Sequence, residues 1–118
     1  MAPALDWEAV RRIALALPGV VEGTSYGTPA FRVGGKFLSR LHQDGNSLVV
    51  RIGMDEREML MAADPETYYI TDHYRDYPSM LVRIDKVAAE SLHRLLEQSW
   101  RAIAPKRLVK EHDRLATS

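Results

Sequence analysis

Two runs rich in apolar residues, Phe37-Leu-Ser-Arg-Leu41 and Leu48-Val-Val-Arg-Ile52, flank Asp44-Gly45, a two-residue turn signal that marks a β-hairpin. Strands are predicted over about 37–43 and 46–53. Pairing them around Asp44-Gly45 sets Leu41 opposite Leu48, Ser39 opposite Val50 and Phe37 opposite Ile52 on one face, while Leu38, Arg40, Val49 and Arg51 share the other. An earlier hairpin is predicted within Tyr26-Gly-Thr-Pro-Ala-Phe-Arg-Val-Gly-Gly-Lys-Phe37. Gly34-Gly35 reverses the chain without a Cβ penalty, and Pro29 suits a strand start or an edge. Its register has two solutions. A two-residue loop puts Phe31 opposite Leu38; a three-residue loop that includes Lys36 puts Val33 opposite Phe37 and Phe31 opposite Ser39. The second keeps the large apolar groups together and is preferred, at the cost of an exposed Leu38.

Elsewhere the period is helical. Asp6 suits the N-cap of a helix over about 7–17 with Trp7, Val10, Ala14 and Leu17 as its buried stripe, ended by Pro18-Gly19. Val20 to Ser25 reads as a short edge strand. Asp55-Glu-Arg-Glu58 has the form of a capping box for a helix to about Ala63, stopped by Asp64-Pro65. A short strand over 67–71, an aromatic loop over 72–78 and a strand over 80–84 follow. Asp85 is expected to cap a long helix over about 86–103 whose inward stripe is Ala88, Leu92, Leu95, Leu96, Ser99 and Ile103. Pro105 opens a last helix to about Leu115, and the Ala-Thr-Ser tail is expected to fray. The order α-β(4)-α-β(2)-α-α predicts a two-layer α+β fold with helices packed mainly on one face of an antiparallel sheet.

At 118 residues, 46% hydrophobic and 27% charged, the chain is expected to form one domain over 1–118. The lack of cysteine excludes disulfides, thiolate catalysis and Cys-ligated zinc. No apolar run reaches the ~18 residues of a membrane span, and Met-Ala-Pro-Ala-Leu-Asp-Trp lacks the features of a signal peptide. A cytoplasmic monomer with no membrane partner is therefore expected. Sixteen Lys and Arg balance 16 Asp and Glu, which argues against a globally basic nucleic-acid binder. Between Gly23 and Met54, however, Asp44 is the only acid, against Arg32, Lys36, Arg40 and Arg51.

Leu17-Pro18-Gly19, Glu22, Tyr26-Gly27-Thr28-Pro29 with Phe31, and Gly35-Lys36-Phe37 form an ordered set of landmarks. Leu60, Pro65, His73-Tyr74, Tyr77-Pro78, Leu81-Val82-Arg83, Trp100-Arg101 and Ala104-Pro105-Lys106 extend it. Together they resemble the MmcQ/YjbR family over about residues 7–108. The resemblance implies a two-layer α+β fold sometimes called a double wing, a proposed DNA-binding role, no established enzyme activity and no agreed set of binding residues. Leu38 stands where the family pattern has an aromatic.

The first candidate site is a basic sheet face: Arg32, Arg40 and Arg51 from one side of the strands, Lys36 at the hairpin tip, His42 nearby and Arg83 from a further strand. Clustered cations of this kind neutralise phosphates and release counterions, and a two-stranded ribbon fits a major groove. The bland alternative is a solvated antiparallel face, on which charges and apolar groups also alternate. The second candidate is the aromatic cluster of Tyr26, His73, Tyr74 and Tyr77, with Tyr68 and Tyr69 beside it. Such rings stack on bases, line protein interfaces, or simply seal a core. Asp72-His73 and His112-Asp113 are adjacent pairs, but adjacency does not make a catalytic dyad, and Gly34-Gly35-Lys36 runs into a strand rather than the helix of a P-loop. The expectation is a non-enzymatic DNA-binding protein without cofactor or metal that uses a hairpin wing and the adjoining sheet face. The alternatives are a protein-interaction module using the sheet or the tyrosine-rich loop, which an exposed apolar patch around Leu38, Val49 and the tyrosines would favour, and a small-molecule binder with a pocket at Tyr26, His73 and Tyr74.

Overall fold

The computed structural model describes residues 4–116, so the expected fraying at 117 and 118 lies outside the described residues. Helix α1 (Trp7–Leu15) begins at Asp6, whose carboxylate accepts from the Ala9 amide at 2.8 Å, as an N-cap should. It leads into β1 (Val20–Ser25), β2 (Thr28–Val33), β3 (Lys36–Leu41) and β4 (Ser47–Arg51). Helix α2 (Met54–Ala63), the two-residue β5 (Tyr68–Tyr69), a single 3-10 turn at Asp72–Tyr74 and β6 (Ser79–Arg83) follow, and α3 (Ala89–Ile103) and α4 (Lys106–Ala116) close the chain. The strands form one antiparallel sheet in the order β1-β2-β3-β4-β6-β5. The fold is the two-layer α+β arrangement that the element order implies.

The main core lies between one sheet face and helices α1 and α3. Phe31, Val33, Leu48, Val50, Met80 and Val82 from the strands meet Val10 and Ala14 of α1 and Leu92, Leu96 and Trp100 of α3. Trp7 stacks on Phe31 with centroids 5.6 Å apart, and the Trp100 indole donates to the Pro18 carbonyl at 2.8 Å, fixing α3 against the end of α1. Phe31 and Trp100 are fully buried and Trp7 is partly buried over them, so these rings add large apolar area to the core. The opposite face is mostly open. It carries only a small cluster of Val49, Tyr74 and Leu81 with Tyr69 and Ile70.

The Asp44-Gly45 hairpin has the expected register, Leu41 against Leu48 and Ser39 against Val50. The Gly34-Gly35 hairpin combines both predicted solutions. At its tip Val33 faces Lys36 across a two-residue loop, and Arg32 faces Phe37. Between Arg32 and Phe31 the register shifts, so that Phe31 faces Ser39 and Leu38 becomes the extra residue of a β-bulge. This overturns the expected orientation at two positions. Leu38 is fully buried in the main core, and Phe37 turns to the open face instead of pairing with Ile52. The bulge removes the conflict that made the single-register solutions costly, because it buries both Phe31 and Leu38.

Two expected caps are also corrected. The N-cap of α2 is Gly53, and Asp55 sits with Glu56 inside the first turn, where their charge suits the helix dipole. Asp85 does not cap α3. The amides of Lys86 and Val87 both turn back to the Arg83 carbonyl, which delivers Val87 to the core and delays the helix to Ala89, with exposed Ala88 as its N-cap.

Because the bulge places Leu38 in the core, Leu38→Ala is expected to destabilise the protein by about 2–5 kcal/mol. Urea unfolding measures this, and a change within about 0.5 kcal/mol, the range of surface substitutions, would return Leu38 to the exposed position of the simple hairpin.

Candidate functional site

Alternation along β4 and β6 sends Leu48, Val50, Met80 and Val82 inward and Val49, Arg51, Leu81 and Arg83 to the open face. The bulge does the same service in β3, turning Phe37 and Arg40 outward on either side of Leu38 and Ser39. Arg32, opposite Phe37, joins them. Over this part of the face lies a concave cleft of about 900 Å³. Arg32, Arg40 and Arg51 line it together with Phe37 and His42 from the sheet. Tyr26 of the β1–β2 turn forms one wall, and His73, Tyr74 and Tyr77 form the other. The described residues lining the cleft include no carboxylate.

Arg40 is the deepest cation, only 7% exposed. Its guanidinium donates to the Tyr74 hydroxyl at 2.8 Å and to the Leu41 carbonyl at 3.3 Å, and lies 5.4 Å from the centre of the Tyr26 ring. Among the described residues it has no ion pair with a carboxylate. Arg32 donates to the Thr24 carbonyl at 3.2 Å, and Arg51 is exposed. A buried cation held by neutral oxygens and a ring is oriented without being neutralised, so its field reaches whatever enters the cleft. Asp44 stands near the far end of this face. Burial by itself would push its carboxyl up, but the Asn46 amide, His42 and the Ser47 amide outweigh that and hold it below the usual range. His42 Nδ1 is buried and 3.4 Å from Asp44 Oδ2, outside hydrogen-bond geometry.

Two of the five expected cations lie outside the cleft. Lys36 pairs with Val33, whose side chain is in the core, so its position belongs to the helix side of the sheet. The hairpin tip is not a free wing either: a Cβ on Gly34 would come within 3.2 Å of the Pro105 ring at the start of α4. Arg83 shares the open face but stacks over the Tyr69 ring at 4.0 Å and donates to the Glu66 carbonyl. All four residues of the aromatic cluster line the cleft. Leu38 and Val49 are buried, so the exposed apolar patch that would favour a protein-interaction module is not centred on them.

Sequence reasoning missed Arg57. It is 4% exposed, the buried residue of α2, and its guanidinium donates to four carbonyls: Tyr74 at 2.9 Å, Tyr77 at 2.8 Å, Ser79 at 3.1 Å and Arg75 at 2.9 Å. The segment carrying the aromatic wall is thus tied to α2 by one side chain. The available signal was position. Arg57 falls three and four residues from Leu60 and Met61, on the face a helix turns inward.

A family model described as YjbR matches residues 15–102. Uncharacterized protein Rv2570 of Mycobacterium tuberculosis and Uncharacterized protein Mb2600 of Mycobacterium bovis are each 28% identical to the chain over 122 residues, covering 88% of it and 92% of their own length. The crystal structure of Deinococcus radiodurans protein DR2400, with a DUF419 domain, matches with a TM-score of 0.70 at 24% identity, over 84% of this chain and 78% of that one, which shows a shared fold.

Arg57→Met keeps much of the buried stem and removes all the donors. It is expected to cost on the order of 3 kcal/mol in urea unfolding and to broaden the His73 and Tyr77 ring signals in NMR spectra. Sharp ring signals at unchanged positions would show that the wall stands without the clamp.

Proposed function

The chain belongs to the YjbR family, and we propose that it is a nucleic-acid-binding domain that takes backbone phosphates on the open face of its sheet. The observation that carries this is the un-neutralised guanidinium of Arg40 at the base of a concave cleft, with Arg32 and Arg51 beside it and no acid in the lining. Arginine donors in a fixed fork match phosphate oxygens, and such contacts release condensed counterions. The three arginines act as the phosphate contacts. Lys36 and Arg83, expected from sequence to join them, contribute at most to the field around the face. Zero net charge keeps affinity modest and makes it depend on this one patch.

The concavity favours one second reading, a small anionic ligand held among Tyr26, His73 and Tyr74. A mononucleotide that binds as tightly as a longer strand would select it.

The test is a titration of duplex and single-stranded DNA at low and at physiological salt, with wild type, Arg40→Glu and Arg51→Glu. Wild type is expected to bind one or both strands at low salt. The salt slope is expected to fall by about one for each phosphate-contacting arginine lost. Arg51 is exposed, so its variant tests the face even if charge reversal at buried Arg40 disturbs folding. No binding of either DNA at low salt, or identical binding by wild type and Arg51→Glu, would overturn the proposal.

A further inference from the structure

Tyr26 occupies a backbone conformation that its side chain disfavours. It is the one non-glycine residue among those described with positive φ, at 53°. Ser25 pairs with Thr28, so Tyr26 and Gly27 form a two-residue loop with both φ values positive, the type I′ geometry that selects Asn, Asp and Gly. Burial does not repay the strain, because Tyr26 is 82% exposed. What the conformation achieves is placement: the ring stands at the mouth of the cleft, over the Arg40 guanidinium. Strained residues of this kind are found where a site needs a group held in one position.

The opposite wall presents two more exposed rings. His73 and Tyr77 stack with centroids 6.0 Å apart and planes inclined by 30°, on the segment that Arg57 clamps. Three accessible rings therefore surround an arginine floor. Their π-faces suit planar groups, and the floor suits an anion beside them.

We infer that the strand bound at this cleft is single-stranded, with an unstacked base lying against Tyr26 while the adjoining phosphate reaches Arg40. The inference rests on the nucleic-acid reading above. A duplex hides its base faces within the stack and carries its phosphates on a convex surface, so it would leave the rings unused and Arg40 recessed behind them. A single strand can place phosphate and base in the same concavity, and every base has a π-face to offer.

Three probes of equal labelling separate the possibilities: a short oligothymidylate, an abasic oligonucleotide of the same length and charge, and a blunt-ended duplex. Wild type is expected to bind oligothymidylate about tenfold tighter than the abasic strand, and tighter than the duplex. In Tyr26→Asn that tenfold ratio is expected to fall towards one, while the thermal midpoint holds or rises because Asn accepts the positive φ. Tyr26→Phe is expected to retain the ratio. Equal affinity of wild type for oligothymidylate and the abasic strand, an unchanged ratio in Tyr26→Asn, or tighter binding of the duplex would each overturn the inference while leaving phosphate contact standing. Failure of all three probes to bind at low salt would overturn both.

Discussion

One buried guanidinium holds the cleft wall in shape. Tyr74 packs on the open side of the sheet, where no helix among the described residues forms a second layer, and residues 75–78 lead from it into β6. A loop in that position must satisfy its carbonyls or lift away into water. Arg57 of α2 satisfies four carbonyls of residues 74–79 at once. The donors are directional and the group is almost wholly out of solvent, so the loop is fixed in position as well as attached. Tyr74 then turns its hydroxyl to Arg40, and the clamp is carried one step further, into the cleft floor. The two arginines have opposite tasks: one is consumed by backbone oxygens, the other is steadied and left available.

The even balance of charge over the chain hides a partition. On the helical side several acids are held by arginines. Arg11 bridges Glu8 and Glu22, Arg101 bridges Glu97 and Asp113, and hydrogen bonds from these arginines hold the Glu22 and Asp113 carboxyls below their ordinary range. Exposed pairs like these add little stability. Arg32, Arg40 and Arg51 are left without carboxylate partners among the described residues, and a neutral molecule acquires one positive face.

Much of this was legible in the residue pattern because it is local. The Asp6 cap, the Asp44-Gly45 register and the element order all follow from neighbours in sequence. So did the gathering of Arg32, Arg40 and Arg51, since period-two alternation decides it. What escaped is decided at a distance. The bulge at Leu38 arises because Phe31 and Leu38 both have to reach the core, a demand that no reading of one hairpin contains. The outward turn of Phe37 is its by-product. Arg57 reads as a surface residue until residues 74–79 are folded over it, and Lys36 reads as part of the basic face until its partner Val33 is seen in the core. The false caps at Asp55 and Asp85 show the same limit. Each has the right chemistry a few residues from the true helix start, and the start is set by what the flanking turn must bury.

The close approach of Gly34 to Pro105 makes the two glycine turns unequal as places to alter the chain. Around Gly45 there is open space, with nothing within 4 Å of where a Cβ would sit. Added length there would extend into solvent. At Gly34 a Cβ would lie 3.2 Å from the Pro105 ring just before α4, so a side chain added there presses on that ring, while Gly35 beside it is open. A fluorophore, an epitope or an inserted segment therefore meets less resistance at Gly45 than at Gly34.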